Sequence, residues 1–283
     1  MGLVINHNLM AMTAARNFTR SYETLYRSTN RLSSGLRINS SADDAAGLAV
    51  SEIMRTEIAA LNQGVRNAYD AQSLLQTADG ALQVIDEKLI RMKELAEQAA
   101  TGTYNSTQRQ IMNNEFATMR SEITRIAEAT RFNGVALLNG TISQYSGSAN
   151  GLKIHFGPTN SAARDYYYIN IGSATATALG INTLDISTQS GAQTALATID
   201  DAVVSKDNIR ADIGAYINRL SNTISQLSIQ AENLQAAESR IRDVDVATEM
   251  TMFVNNQIKS QAAIAMLAQA NTIPQLALTL IGG

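Results

Sequence analysis

The sequence predicts a mainly α fold. Long antiparallel heptad helices form a coiled-coil-like rod with a small β-hairpin region, and the two chain ends pair as a second helical coiled-coil domain. Three observations carry this. Leu61, Val65, Ala68, Gln72, Leu75, Ala78, Leu82, Ile85, Leu89, Met92, Ala96 and Ala99 follow one another in steps of four and three. That rhythm lays a narrow apolar seam along one side of a helix. Ile213, Ile217, Leu220, Ile224, Leu227, Ala231 and Leu234 keep the same rule in the opposite half of the chain. Neither run contains proline. A helix over 61–99 is about 60 Å long and needs a mate of similar length to cover its seam. The second run is the best candidate, so the two read as antiparallel arms with the middle of the sequence at their far end. An ordinary helical bundle of no special shape is the plain alternative.

Residues 1–32 read as a first helix. It carries no formal charge between Met1 and Ala15, and Phe18, Tyr22, Leu25, Thr29 and Leu32 then step by four, three, four and three. Ser33-Ser34-Gly35 is a stop, residues 36–42 are irregular, and Ser41 or Asp43 can cap the next helix. The long seam follows and breaks near Thr101–Asn105. Residues 107–130 resume a helix with Ile111, Phe116, Met119, Ile123 and Ile126 inward. Phe132-Asn133-Gly134 makes a turn, and Asn139-Gly140 signals a type I′ hairpin between Val135–Leu138 and Thr141–Tyr145. The strand-like region, about 135–185, holds the alternation Leu152, Ile154, Phe156, a turn at Gly157–Asn160, and a strand through Tyr166, Tyr168 and Ile169–Ile171. Leu184–Ser190 is a loop. Helix returns near Gln193 and runs to about Arg240. From Thr251 to Gly283 the only charge is Lys259, with Phe253, Ile258, Met266 and Leu267 among the apolar positions and Pro274 expected to kink or end the helix.

Of 283 residues, 45% are hydrophobic but only 5% aromatic, with no Trp; charged residues make up 17%, against ~25% for a typical soluble domain. Ala, Ser, Thr, Asn and Gln fill the difference, which suits a protein that buries much of its outside against copies of itself. Both ends are nearly charge-free and too apolar to be comfortable alone in water. A polymer core and a helical hairpin packed on the body of a monomer are both compatible with that pattern.

Several chemistries are disfavoured. The formal net charge of −3 gives no field for nucleic acid. Without Cys there is no disulfide, thiolate metal site or Cys nucleophile. No cleavable signal peptide and no membrane span are expected. His7 and His155 stand in different elements, and His155 is expected on a strand facing solvent. Asp43-Asp44 and Asp200-Asp201 read as helix-start carboxylates. Asp243 and Asp245 with Arg240 and Arg242 suggest an ion-pair cluster. No phosphate loop, nucleophile elbow or zinc motif is present. The expectation is therefore not an enzyme, with no catalytic, metal or cofactor residues.

The blocks Ile5–Asn8, Leu32–Asn39, Ala42–Ala49, Arg131–Gly134, Ala237–Asp245 and Ala265–Asn271 resemble bacterial flagellin, in the family's order across roughly 1–140 and 190–283. The resemblance implies a structural subunit that polymerises into the flagellar filament for swimming motility. Residues 1–44 would give the N-terminal helix and spoke of an inner core domain. Residues 45–240 would form an outer rod domain, and 241–283 the C-terminal inner helix. The family's variable outer domains would be absent, making this a short form. The resemblance also implies export, unfolded, by the type III apparatus to an extracellular filament, and ends that stay disordered until neighbours bury them. Implied partners are further copies of the chain, an export chaperone on the C-terminal helix, and cap and hook-junction proteins. Phe18, Tyr22, Leu25, Leu32, Phe253, Ile258, Met266 and Leu267 would form the polymerisation core. Leu89–Ala96 resembles the segment met by the vertebrate flagellin-sensing Toll-like receptor. Arg91, Glu94, Leu95 and Glu115 match and serve as receptor or intersubunit contacts, while Ile90 stands where Gln is usual. A hook–filament junction protein is the alternative, and a membrane-active helical protein is disfavoured by the few cations flanking the apolar ends.

Overall fold

The computed structural model describes residues 7–142, 151–161 and 164–281. In chain order the elements are α1 (Leu9–Ser34), α2 (Ala45–Ala100), α3 (Ser106–Ala129), β1 (Arg131–Phe132), β2 (Val135–Ala136), β3 (Leu152–His155), β4 (Tyr166–Ile169), α4 (Gln189–Arg242) and α5 (Val246–Ile281). The chain divides into two compact units. One gathers residues 1–56 and 233–283, the other residues 57–232. α2 and α4 run through both.

In the 57–232 unit the long seam is the core. Leu61, Ala68, Leu75, Ala78, Leu82, Ile85, Leu89, Met92, Ala96 and Ala99 are buried, and Val65 and Gln72 are half-buried. The mate on α4 is longer than the 213–234 run. Ala192, Ala195, Ile199 and Ala202 are buried ahead of Ile213, Leu220, Ile224 and Leu227. Three ion pairs fix the direction: Lys93 to Asp200 at 2.5 Å, Lys206 to Asp86 at 2.5 Å and Arg210 to Asp79 at 2.8 Å. Numbers fall on α2 as they rise on α4, so the two helices are antiparallel, as the sequence predicts.

Asp79 is held below its ordinary carboxylate range, first by the hydrogen bond from Arg210, against partial desolvation, with help from Gln83. A depressed folded-state value means that the stabilisation is whole above the unfolded value and is lost as pH falls through the folded one. Urea midpoints of the parent chain should therefore drop below about pH 4, and Asp79→Asn should show a shallower drop over the same range. Equal acid slopes for the two chains would count against this pair as a contributor.

α3 starts with a capping box, in which Asn105 accepts from the Gln108 N–H and Gln108 reaches back to the Asn105 N–H. Arg109 ties this corner to α2 through the carbonyls of Ala99 (2.9 Å) and Thr101 (2.8 Å). The inward set is Met112, Phe116, Ile123 and Ile126, with Met119 half-buried. Ile111 is 65% exposed, a correction. The four-three rhythm that fits 116, 119, 123 and 126 extends back to 112 and leaves 111 one residue off the stripe.

Two antiparallel hairpins follow, β1 with β2 and β3 with β4, the latter pairing Leu152 with Ile169 and His155 with Tyr166. The tight turn sits at Asn133-Gly134, both at positive φ (48° and 81°), as a two-residue hairpin of the I′ kind needs. No pairing flanks Asn139-Gly140 among the described residues. The Asn139 side chain instead accepts from the Thr141 N–H and hydroxyl in a local turn. The expected strand to Tyr145 runs outside the described residues.

The β3–β4 hairpin seats on α2 and α4. Asn67 donates to the His155 carbonyl at 2.9 Å, Phe156 is buried with its ring 4.5 Å from Tyr167, and the Arg219 guanidinium lies 3.5 Å over Tyr167. Gly64 makes the approach possible, because a Cβ there would lie 1.8 Å from the Phe156 carbonyl oxygen. His155 is half-buried, 6.0 Å from the Tyr166 ring, rather than turned wholly to solvent. The cross-strand neighbour covers it.

Other expectations shift locally. Asp44, not Ser41 or Asp43, caps α2 by accepting from the Gly47 N–H at 2.9 Å. Asp43 instead closes the preceding loop on the Asn39 and Ser40 N–H groups. α4 begins at Gln189, where Thr188 accepts from the Gly191 N–H. Asp200 and Asp201 therefore lie inside the helix, not at its start. Around Arg242 the acids divide their roles. Glu52 (2.9 Å) and Glu238 (4.0 Å) pair with the guanidinium, Asp243 accepts from Ser239, and Asp245 caps α5. α5 passes position 274 without ending, since the loss of one ladder bond does not itself stop a helix.

Candidate functional site

Helices α1 and α5 pair within the unit of residues 1–56 and 233–283. The Asn8 side chain caps α1 on the Ala11 N–H and donates to the Ala270 carbonyl at 2.7 Å. Near the other end Arg31 meets Glu249 at 3.5 Å. The pairing of the chain ends is as the sequence predicts, and these two contacts make it antiparallel. Its covered positions on α1 are Ala11, Ala14, Phe18, Ser21, Leu25, Ser28 and Leu32; on α5 they are Glu249, Phe253, Asn256, Ser260, Ala263, Leu267 and Ala270. Both sets keep steps of three and four, the geometry of a coiled-coil seam. Many of these residues are Ala or Ser, so the seam is thin and hides few methyl groups.

The covered strip explains what lies opposite it. Leu9, Met10, Met12, Tyr22 and Tyr26 on α1 are exposed, as are Val246, Met250, Met252, Val254, Ile258, Ile264 and Met266 on α5. Apolar residues are spread around α5 with no preference for one side, so its seam with α1 covers only part of them. Leu9, Met10, Thr13, Met266 and Gln269 line an open groove between the two helices. Exposed apolar surface on this scale is a mark of interaction sites.

The eight residues expected in a polymerisation core divide by this geometry. Phe18, Leu25, Leu32, Phe253 and Leu267 sit in the α1–α5 seam; Tyr22, Ile258 and Met266 point away from it. Ser21 and Ser28 hold the seam steps that the sequence reading gave to Tyr22 and Thr29. A serine carries no apolar signal, so only the step count could have found them.

A backbone clasp closes the base of this pair. The Arg37 N–H donates to the Arg242 carbonyl at 2.6 Å and the Val244 N–H to the Gly35 carbonyl at 3.0 Å. The Arg37 guanidinium adds two bonds to the Ile241 carbonyl.

On the 57–232 unit, Arg91 bridges Glu94 and Glu115, each at 2.9 Å, on an exposed face of α2 and α3. Those two hydrogen bonds, Glu94 foremost, raise the Arg91 pKa. Leu95 is buried and belongs to the core beneath the face. The structure thus brings three of the four candidate contact residues together at the surface and leaves the fourth below them. Among the described residues no group of His, Cys, Asp and Glu could hold a metal ion.

The family model described as the bacterial flagellin N-terminal helical region matches residues 5–143, and that of the C-terminal helical region matches 196–281. The chain is 43% identical over 279 residues to a flagellin of Halalkalibacterium halodurans, covering 99% of this chain and 100% of that one. It is 41% identical over 288 residues to the flagellar filament 33 kDa core protein of Treponema phagedenis, again over 99% and 100%. The chain belongs to the bacterial flagellin family. Flagellins are structural filament proteins and not enzymes. A solved structure described as a flagellar hook-associated protein of Vibrio parahaemolyticus covers 71% of this chain and 100% of its own, with a TM-score of 0.57 and 18% identity. That likeness speaks to the fold alone. The full-length relatives named above are filament proteins, so the hook-junction alternative is not favoured. No helix among the described residues is long and apolar enough to cross a membrane, and this flagellin carries no large variable domain.

Proposed function

We propose that this flagellin builds its filament by burying the outward apolar face of α1 and α5 against further copies of itself. The observation that carries this is the run of exposed Met, Ile, Leu and Val on two helices whose mutual seam is already closed. On this reading residues 1–44 and 241–283 form the inner core of the filament and residues 45–240 its outer surface. Phe18, Leu25, Leu32, Phe253 and Leu267 hold the helix pair together, and Tyr22, Ile258 and Met266 contact neighbouring subunits. Export to the cell exterior by the type III apparatus, a chaperone on α5, and contacts with cap and hook-junction proteins belong to the same reading. The test is electron microscopy of purified chain seeded with filament fragments. Long tubes of uniform diameter support it, and soluble chain that never extends a seed counts against it.

The Arg91–Glu94–Glu115 face is assigned to subunit contacts in the filament and, in the free subunit, to a host Toll-like receptor. Three charged groups held together and exposed support this. With Leu95 buried, its part is to hold α2 in place under them. Arg91→Ala should lower receptor activation by monomer about tenfold while leaving the melting midpoint where it is, since exposed ion pairs contribute little to stability. Unchanged activation would remove the receptor from this reading.

A further inference from the structure

The α4 seam contains a residue that does not belong in an apolar stripe. Ala192, Ile199, Lys206, Ile213, Leu220 and Leu227 recur every seven residues, all buried, and the third is lysine. Its side chain is 2% exposed, with the ammonium 2.5 Å from Asp86 and 2.7 Å from Asp207. On α2 the opposing seam repeats with the same period, as Leu61, Ala68, Leu75, Leu82, Leu89 and Ala96. A slide of one heptad would place apolar on apolar again, so the hydrophobic contacts barely discriminate between registers.

The charges do. Asp79, Asp86 and Lys93 also stand seven apart on α2, facing Arg210, Lys206 and Asp200. Move α2 so that each residue takes the place of the one seven before it, and Lys93 lands on buried Lys206. Move it the other way, and Asp86 lands on Asp200. We propose that Lys206, the one charged residue buried in the α4 seam between residues 189 and 232, pins the register of α2 on α4, with Lys93 and Asp200 rejecting the neighbouring registers. A single polar seam position is known to specify register in coiled coils, and like charges set against wrong pairings add to it.

The chain has no cysteine, so spin labels at Val84→Cys and Ile229→Cys report on α2 and α4 alone. Both positions are exposed and lie within the 57–232 unit. The full chain carrying Lys93→Ala and Lys206→Met is refolded from denaturant and its label distances are measured. In that variant Asp86 can pair with Arg210 and position 93 meets methionine. A second population is expected, about 10 Å shorter, the length of one heptad of helix. Lys93→Ala alone keeps the Lys206–Asp86 pin and should give the parent's single distance. A single parental distance in the double variant overturns the proposal, as does a second population in Lys93→Ala alone. A double variant that circular dichroism shows unable to refold also overturns it, because Lys206 would then serve folding itself and not the choice of register.

Discussion

Met266→Asp is expected to abolish seeded filament growth while residues 57–232 melt as in the parent chain. Met266 is 62% exposed and lies off the α1–α5 seam. In the isolated chain a carboxylate there stays in water, and surface changes of this kind usually move stability by less than about 0.5 kcal/mol. In a filament that buries the outer face, the same carboxylate loses its water and finds an apolar neighbour. Burying an unpaired polar group costs on the order of 3 kcal/mol, which raises the critical concentration by on the order of 100-fold. Met266→Leu keeps size and polarity and should elongate seeds normally. Leu25→Asp reaches the same end by another route. Leu25 is covered by α5, so the charge opposes the helix pair before any neighbour arrives. Tubes of normal length from Met266→Asp would remove this face from the assembly mechanism. Tubes from Leu25→Asp would remove the seam.

The sequence made the long arms legible because their seam is built from leucine, isoleucine and methionine, whose spacing is a direct image of burial. It was less legible where burial falls on residues that carry no apolar signal. Ser21, Ser28 and Ser260 lie in the terminal seam, and Lys206 interrupts the α4 seam. The apolar run in the sequence therefore starts at Ile213, whereas the buried seam reaches back to Ala192. Ile111 shows the converse, an apolar residue that the heptad count leaves outside. Caps were legible as a neighbourhood rather than an atom, since Asp43 and Asp44 are equally good acceptors and only the path of the loop decides which one meets the Gly47 N–H. The turn chemistry of Asn-Gly was sound, but two such pairs lie six residues apart, and strand partners exist among the described residues for the first alone. The outward face of α1 and α5 was visible as a composition, and its exact residues needed the seam to be placed first. Contact residues such as Arg91 and Glu115 lie on different helices, so no local spacing joins them. A resemblance named them, and the antiparallel course of α2 and α3 set them side by side.

Gly64→Ala and Gly80→Ala lie on one helix and are expected to change stability in opposite directions. In a helix interior alanine is favoured over glycine by roughly 0.5–1 kcal/mol. At Gly80 nothing lies within 4 Å of the added methyl, so the substitution should gain about that much. At Gly64 the methyl would stand 1.8 Å from the Phe156 oxygen, 2.7 Å from its carbonyl carbon and 3.1 Å from its Cα. These are backbone atoms, and no rotamer change moves them. The end of β3 must lift from α2, which draws Phe156 out of its buried position and breaks the 2.9 Å bond from Asn67 to the His155 carbonyl. Strain and lost burial together outweigh the helix preference, for a net loss of about 2–3 kcal/mol. Urea melts of the two variants against the parent decide it. The difference should be largest in probes of the hairpin, where the Tyr167 ring packs at a tilt against Phe156 and lies under Arg219. A Gly64→Ala chain as stable as Gly80→Ala would mean that the hairpin does not seat against α2 at this point, and that glycine at position 64 is there for another reason.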